Sequence, residues 1–99
     1  MTIEQVLLKM KAYTPFRQAV WRACMRIPAG QTRSYKWIAE QIGKPGAVRA
    51  VGSALGKNPF APIVPCHRVI KSDGTMGGFS APGGVKAKIK LLKKEKAIK

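Results

Sequence analysis

Hydrophobic residues recur at helical spacing in four stretches of the chain, so the pattern predicts a mainly α-helical fold. Thr14 followed by Pro15 marks the start of the first helix, and Ser34 caps the second. Gly43 and the nearby Pro45 end the second helix. The apolar positions are Phe16, Val20, Cys24 and Ile27 in the first helix, Tyr35, Ile38 and Ile42 in the second, Ala47, Val48, Val51, Ala54 and Leu55 in the third, and Val85, Ile89 and Leu92 in the last.

The third predicted helix, residues 47–56, has one side that is almost bare. At about 100° per residue, Arg49, Gly52, Ser53 and Gly56 gather opposite the apolar positions. A glycine inside a helix costs about 0.5–1 kcal/mol relative to alanine, so this side indicates close approach by another surface. Either a large partner or a neighbouring helix of the same chain fits the pattern. Two short helices joined by a glycine-containing turn predict a helix-turn-helix.

A stiff, extended loop is predicted between the third and last helices, because its prolines neither continue a helix nor donate a backbone hydrogen bond. These prolines are Pro59, Pro62 and Pro65. The segment then holds, in chain order, Cys66 and His67, a short strand at Val69–Ile70, a turn at 72–74 and a glycine-rich passage at 77–84. The lysines of the last helix are expected to face water or phosphate.

Cys66 and His67 are the candidate reactive pair. A thiol acts as a nucleophile near neutral pH only when a neighbouring group lowers its pKa or removes its proton. Adjacent residues of an extended segment point to opposite sides, so a bridging water fits better than direct contact between the two side chains. The carboxylates that could orient His67 are Glu4, Glu40, Asp73 and Glu95. On this pattern alone, a structural role for the pair stays open.

The other cysteine, Cys24, lies on the apolar stripe of the first helix and is predicted to be a buried structural thiol. Two cysteines without a CxxC pair, together with a single histidine, are too few ligands for a zinc site. We therefore expect neither a metal nor another cofactor.

The net charge is unusual for a chain of this length. There are 19 Lys and Arg against 4 Asp and Glu, which gives a formal net charge of +15. Such a field favours a polyanion, above all nucleic-acid phosphate, and a surface made basic for other reasons is the alternative. The apolar runs are too short to span a bilayer and the N-terminus lacks the order of a signal peptide. These features predict a location in the cytoplasm, or in the nucleus of a eukaryote.

The length of 99 residues leaves room for one hydrophobic core. We expect a single, monomeric domain over residues 1–99, in which 1–13 is an N-terminal lead-in and 96–99 a basic tail. Hydrophobic residues make up 45% of the chain, an ordinary globular share that excludes a disordered or fibrous protein.

Four ordered motifs resemble one known family. They are Ile-Pro-x-Gly-x-Thr-x-Ser-Tyr at 27–35, Arg-Ala-Val-Gly at 49–52, Asn-Pro at 58–59 and Pro-Cys-His-Arg-Val at 65–69. In this order and spacing they are similar to the alkylguanine-DNA alkyltransferases over about residues 16–95. The resemblance implies the C-terminal domain of that family, a mainly α, winged-helix-like fold with a helix-turn-helix, a short strand and an extended active-site loop.

The resemblance implies direct and irreversible repair of O6-alkylguanine in double-stranded DNA, bound through the minor groove. The damaged base would rotate out of the duplex and pass its alkyl group to Cys66. His67 would remove the thiol proton through a water, and Glu95, in the last helix, would orient His67. Asn58 would brace the Cys66 loop, and Tyr35 would contact the lesion and help to neutralise the leaving guanine. On the DNA side, Arg49 would fill the space that the base vacates, and Gly52 and Ser53 would lie on the helix face in the groove. Around the rotated base, the carbonyls of Cys66 and Val69 would face the guanine amino group, and the Ser80 amide would face O6.

The chain departs from the family pattern at three places. Many relatives carry an extra N-terminal domain, and fewer than twenty residues precede the resemblance here. Phe79 occupies a loop position where tyrosine is frequent, and the loop at 80–83 is longer than the common form. These differences affect the expected role of Ser80 and the range of alkyl groups accepted.

Two other functions are set against alkyl transfer. Alkyltransferase-like lesion sensors bind O6-alkylguanine without repairing it, but they have lost the acceptor cysteine, usually to tryptophan, whereas this chain has Cys66. A plain basic DNA-binding module would leave the segment at 65–69 unexplained. Retention of the thiol therefore favours alkyl transfer.

Overall fold

The computed structural model describes residues 1–61, 63–76 and 84–98. Within these ranges the chain forms five α-helices, one 3-10 turn and two short strands, so the fold is mainly α. The helices are α1 (Ile3–Met10), α2 (Pro15–Met25), α3 (Tyr35–Gln41), α4 (Val48–Gly56) and α5 (Gly84–Lys94). The strands are β1 (Arg33–Ser34) and β2 (Val69–Ile70), and the 3-10 turn spans Cys66–Arg68.

The first helix, α1, is absent from the sequence prediction, which treated residues 1–13 as a lead-in. A capping box starts it: the Thr2 hydroxyl accepts a hydrogen bond from the Gln5 amide, and the Gln5 side chain accepts one from the Thr2 amide. Val6 and Met10 are completely buried in the core. The Thr-x-x-Gln spacing was the signal in the sequence that could have revealed this helix.

The predicted starts of α2 and α3 are confirmed. The Thr14 hydroxyl accepts from the Arg17 amide with Pro15 in the first turn, and the Ser34 hydroxyl accepts from the Trp37 amide at 2.9 Å. After α3, Gly43 adopts φ 74°, a left-handed conformation that glycine takes without strain. The chain then turns into α4, and α3 and α4 form the predicted helix-turn-helix.

Trp21 of α2 joins these helices at the centre of the core. Its side chain is completely buried, and its indole N–H donates to the Ala54 carbonyl of α4 at 2.9 Å. Tyr13 and Phe60 meet the Trp21 ring edge to face. This packing fixes α4 on α2 and leads directly into the segment before Cys66.

The two strands connect the helix-turn-helix to the cysteine segment. They pair in parallel, with Arg33 opposite Val69 and Ser34 opposite Ile70. The β2 strand and the turn after it are confirmed predictions, since Gly74 adopts φ 87° and the Lys71 amide donates to the Thr75 carbonyl. The partner strand β1 was not predicted, because two residues carry no periodicity.

Three predicted side-chain environments are wrong. Lys88 was expected to face water or phosphate but is completely buried, and it shares a helix face with the buried Leu92, four residues further on. Val85 was expected to dock on the body and is 40% exposed, although it lies in the first turn on the same side of α5 as Lys88 and Leu92. Val48 of α4, also predicted to be apolar core, is 38% exposed.

Candidate active site and nucleic-acid interface

Cys66 is the first residue of the 3-10 turn, not part of an extended loop as predicted. The Arg68 amide donates to the Pro65 carbonyl, and the Cys66 amide donates to the Val64 carbonyl, so the chain turns tightly on both sides of the thiol. Proline has a fixed φ and no N–H to donate. The donors of these two turns are the Cys66 and Arg68 amides, so the neighbouring prolines do not prevent the turns. The Cys66 side chain is nearly buried, with 9% of the residue exposed.

The surroundings of Cys66 act on its pKa in opposite directions. Burial raises the pKa, while the Asn58 side chain and the charge of Lys88 lower it by smaller amounts. The net direction is upward, so the thiol rests in its protonated form at neutral pH. A base must take the proton before the sulfur can act as a nucleophile.

Asn58 braces the segment before Cys66. Its side-chain N–H donates to the Val64 carbonyl at 2.9 Å, and its side-chain carbonyl accepts from the Phe60 amide at 2.8 Å. Asn58 follows directly on α4, and its own amide donates to the Leu55 carbonyl. This amide side chain therefore ties the position of the cysteine turn to the end of α4.

His67 and Glu95 come together as the sequence analysis expected, although 28 residues separate them. The His67 Nε2 lies 2.9 Å from a Glu95 carboxylate oxygen. A carboxylate accepts hydrogen bonds, so Nε2 carries the proton and Nδ1 is the unprotonated nitrogen. Glu95 itself lies just after α5, not inside the last helix, and its amide still donates to the Leu91 carbonyl.

Arg68 holds the other side of the same carboxylate and was missed in the sequence. Its Nε donates to one Glu95 oxygen at 3.0 Å, and its Nη2 pairs with the other oxygen. A third N–H donates to the Ile27 carbonyl at 2.8 Å. These bonds, first of all those to Arg68, hold the pKa of Glu95 at about 2, so the carboxylate stays charged.

Burial lowers the pKa of His67, and the adjacent Glu95 opposes this shift only in part. The imidazole is therefore neutral at rest and able to accept a proton. Its Nδ1 is buried and has no hydrogen-bond partner among the described residues. A neutral imidazole with one nitrogen bound to a fixed carboxylate is the arrangement of a general base.

Lys88 lies on the other side of the site and was also missed. Its ammonium donates to the Val69 carbonyl at 2.6 Å and to the Met76 carbonyl, and lies 5.9 Å from the centre of the Tyr35 ring. Burial lowers the pKa of Lys88 to about 8, and burial raises the pKa of Tyr35. The site thus combines a thiol, a neutral base, a phenol and a buried cation.

The bare side of α4 faces outward. Arg49 and Ser53 are exposed, and a Cβ atom added to Gly52 would meet no other atom within 4 Å. The small residues therefore do not serve packing between helices inside the described part of the chain. In that part no carboxylate forms an ion pair with Arg49, since both ion pairs found there belong to Glu95. The face is available to a large external partner.

Two predicted site residues, Phe79 and Ser80, lie outside the described residues. The remaining nine fall into two groups. Cys66, His67, Glu95, Asn58, Tyr35 and Val69 surround the thiol, and Arg49, Gly52 and Ser53 lie on α4. In the residues that the structure covers, no group of three or more His, Cys, Asp or Glu could hold a metal ion. None of the helices described is long and apolar enough to cross a membrane.

A family model described as the DNA-binding domain of 6-O-methylguanine DNA methyltransferase matches residues 15–97. The chain belongs to this family. A methylated-DNA–protein-cysteine methyltransferase of Mycobacterium bovis is 56% identical over 84 residues, which cover 85% of this chain and 50% of that protein. The chain therefore spans about half the length of this curated relative.

Solved structures of relatives have the same fold as this chain. A crystal structure of Mycobacterium tuberculosis OGT in complex with DNA has a TM-score of 0.81 at 55% identity, and the match covers 86% of this chain and 52% of that one. S. pombe Atl1, in complex with damaged DNA containing O6-carboxymethylguanine, has a TM-score of 0.72 at 34% identity, over 81% and 74% of the two chains. The mainly α alkyltransferase fold expected from the motifs is confirmed.

Proposed function

We propose that this chain repairs O6-alkylguanine in double-stranded DNA by irreversible transfer of the alkyl group to Cys66. The observation that carries the proposal is the His67–Glu95 contact of 2.9 Å beside a buried thiol, in a chain of the 6-O-methylguanine DNA methyltransferase family. The contact supplies the base that a protonated thiol needs. The reaction requires no cofactor, because sulfur, base and alkyl donor are all present once DNA binds.

The proton path runs from sulfur to imidazole. The Cys66 S–H bond breaks, and its proton passes through a water to the Nδ1 of His67, since Nε2 is engaged with Glu95. The charged Glu95 stabilises the imidazolium that forms, and Arg68 keeps that carboxylate in place. Both groups are needed because burial disfavours a charged sulfur and a charged imidazole alike.

The sulfur then attacks the alkyl carbon, forming the S–C bond as the C–O6 bond breaks. The electron pair of the broken bond stays on the guanine, which must be neutralised as it leaves. Tyr35, whose ring lies 5.9 Å from the Lys88 ammonium, would donate a hydrogen bond or proton to the base. The Val69 carbonyl uses one lone pair for Lys88, and its second lone pair remains for the guanine amino group.

DNA binding belongs to α4 in this proposal. Gly52 and Ser53 allow the backbone of α4 to approach the minor groove closely, and Arg49 occupies the space that the rotated base leaves. Small residues and backbone groups carry little base code in the minor groove. Slight sequence preference is what repair of randomly placed lesions requires. The chain would work where the DNA is, in the cytoplasm or, in a eukaryote, in the nucleus.

The decisive experiment is mass spectrometry after mixing the protein with a duplex that contains one O6-methylguanine. We expect one methyl increment on the peptide with Cys66, one per protein molecule. Cys66→Ser should abolish the increment and keep duplex binding.

Cys24→Ala is the matched control, because Cys24 is also buried, and burial raises its pKa far above the ordinary value. This variant should still accept the methyl group at Cys66. If the wild type binds the lesion without any methyl increment, the chain is instead a lesion sensor. The similarity of its fold to that of S. pombe Atl1 is the reason to test this outcome.

A further inference from the structure

The outer side of α5 is a basic helical surface, and the sequence analysis left open whether its lysines face water or phosphate. It carries Lys86, Lys90, Lys93 and Lys94, all exposed, and we call it the α5 lysine face. The steps of four and three residues place the first three on one side of the helix. Lys88 and Leu92 are buried on the opposite side. The α5 lysine face therefore points away from the body.

No carboxylate of the described chain neutralises this face. The whole chain has 4 Asp and Glu. Glu95 is engaged with Arg68 and His67, and Asp73 accepts from Thr75. Both ion pairs in the described residues use Glu95, so neither Glu4 nor Glu40 pairs with these lysines.

The arrangement is unfavourable for the isolated helix. Like charges three or four residues apart repel one another. Lys86 stands in the first turn of α5, which has no acidic residue, although the helix dipole favours negative charge there. Lys93 and Lys94 stand in the last turn, where the helix dipole favours positive charge. Neither pairing within the chain nor helix stability explains the positive charges of Lys86 and Lys90. An external polyanion would remove both costs.

The geometry fits a phosphate backbone. At 1.5 Å of rise per residue, Lys86 and Lys93 are separated by about 10 Å along the axis. Phosphates of one DNA strand recur about every 3.4 Å along the duplex axis, so the α5 lysine face spans about three of them. The face is held rigidly, since Lys88 ties α5 to β2 and Glu95 ties its end to the cysteine turn.

We infer that the α5 lysine face is a second phosphate-backbone contact for nucleic acid, separate from the contact made by α4. The two surfaces belong to different packing units: α4 packs on α2 and α3, and α5 packs on the cysteine turn. The choice of DNA as the nucleic acid rests on the proposed function. The electrostatic contact itself does not require alkyl transfer.

The test compares two double variants with the same loss of charge. Lys90→Gln with Lys93→Gln removes two charges from the α5 lysine face. Lys9→Gln with Lys11→Gln removes two exposed lysines at the C-terminal end of α1, outside the residues matched by the family. Binding to an undamaged duplex is measured by fluorescence anisotropy at several salt concentrations. Circular dichroism checks that both variants are folded.

We expect the slope of log K against log[salt] to become shallower by about 1.8 for the α5 variant, at about 0.9 per lost phosphate contact, and to change little for the α1 variant. Lys90→Arg with Lys93→Arg, which keeps both charges, should have the same slope as wild type. An equal change in the two Gln variants, or no change in either, overturns the inference.

Transfer from free O6-methylguanine base to Cys66 separates this inference from the proposed function. The α5 variant should transfer at the wild-type rate, since a free base has no phosphate backbone. If neither protein transfers while the slope differs as expected, the proposed function fails and the phosphate contact stands.

Discussion

The charges of Cys66 and Lys88 influence each other's pKa. The positive charge of Lys88 lowers the pKa of Cys66, against the larger effect of burial. Burial in turn lowers the pKa of Lys88 to about 8, so the cation loses its charge in mildly basic solution. The Cys66 thiol therefore ionises more easily while Lys88 is protonated than after Lys88 has lost its proton.

Lys88→Met should slow the reaction of Cys66 with iodoacetamide several-fold at pH 7, because the variant lacks the charge that favours the thiolate. The difference from wild type should narrow above about pH 8, where wild-type Lys88 is neutral. Mass spectrometry of the Cys66 peptide gives the rates. Lys86→Met, an exposed lysine of the same helix, is the control. A constant ratio between pH 7 and pH 9 would contradict the electrostatic role.

Glu95 makes folding stability depend on acid. Its pKa falls from 4.5 to about 2 in the folded chain, first because of Arg68, so the unfolded chain binds the proton at higher pH than the folded chain does. The contribution is complete above about pH 4.5 and is lost as the pH falls toward 2. Urea unfolding between these limits should show a steeper loss for wild type than for Glu95→Gln. The free energy of unfolding of Glu40→Gln should depend on pH as that of wild type does. Parallel curves for all three proteins would show that the Arg68–Glu95 pair does not cause the pH dependence.

At the scale of elements, α4 trades helix stability for an open surface. Gly52 costs about 0.5–1 kcal/mol relative to alanine, and a Cβ there would meet nothing within the described chain. The cost has no return among the described residues, so we attribute it to the proposed contact with DNA.

Gly52→Ala should therefore raise the free energy of unfolding by about 0.5–1 kcal/mol and at the same time weaken duplex binding. Urea unfolding and fluorescence anisotropy measure the two effects on the same preparation. Tighter or unchanged binding would mean that this part of α4 does not approach DNA closely, and lower stability would mean that the glycine is required by the fold.

The elements also show where local pattern was sufficient. Thr14, Pro15 and Ser34 predicted two helix starts because capping depends on residues three positions apart. Which face of α5 is buried depended instead on the segments that the helix packs against. A lysine normally stays in water, and Lys88 is buried only because two backbone carbonyls, from Val69 and Met76, meet its ammonium.

At the scale of the whole molecule, the charge of +15 acts on folding and on binding with opposite signs. Positive residues repel one another in the compact state, and salt screens this repulsion. The same salt competes with the protein for phosphate, because binding releases counterions from DNA.

Raising the salt concentration should therefore increase the melting temperature of the free protein while duplex binding weakens steeply. Thermal unfolding by circular dichroism and anisotropy titrations over one salt series check both trends. A melting temperature that is flat or falls with salt would show that charge repulsion does not limit stability, and flat binding would exclude a phosphate contact.

The sequence by itself determined the helical class, the two capped helix starts, the bare side of α4 and the identity of Cys66, His67 and Asn58 as candidates. Those features depend on residue type and on spacings of a few positions. Only the tertiary structure decided that Arg68 joins His67 on the carboxylate of Glu95, that β1 pairs with β2, and that Lys88 enters the core. The Glu95 contacts and the strand pairing join residues that are more than nineteen positions apart in the chain. The burial of Lys88 overrides the usual preference of lysine for water. The packing of the helices determines all of them.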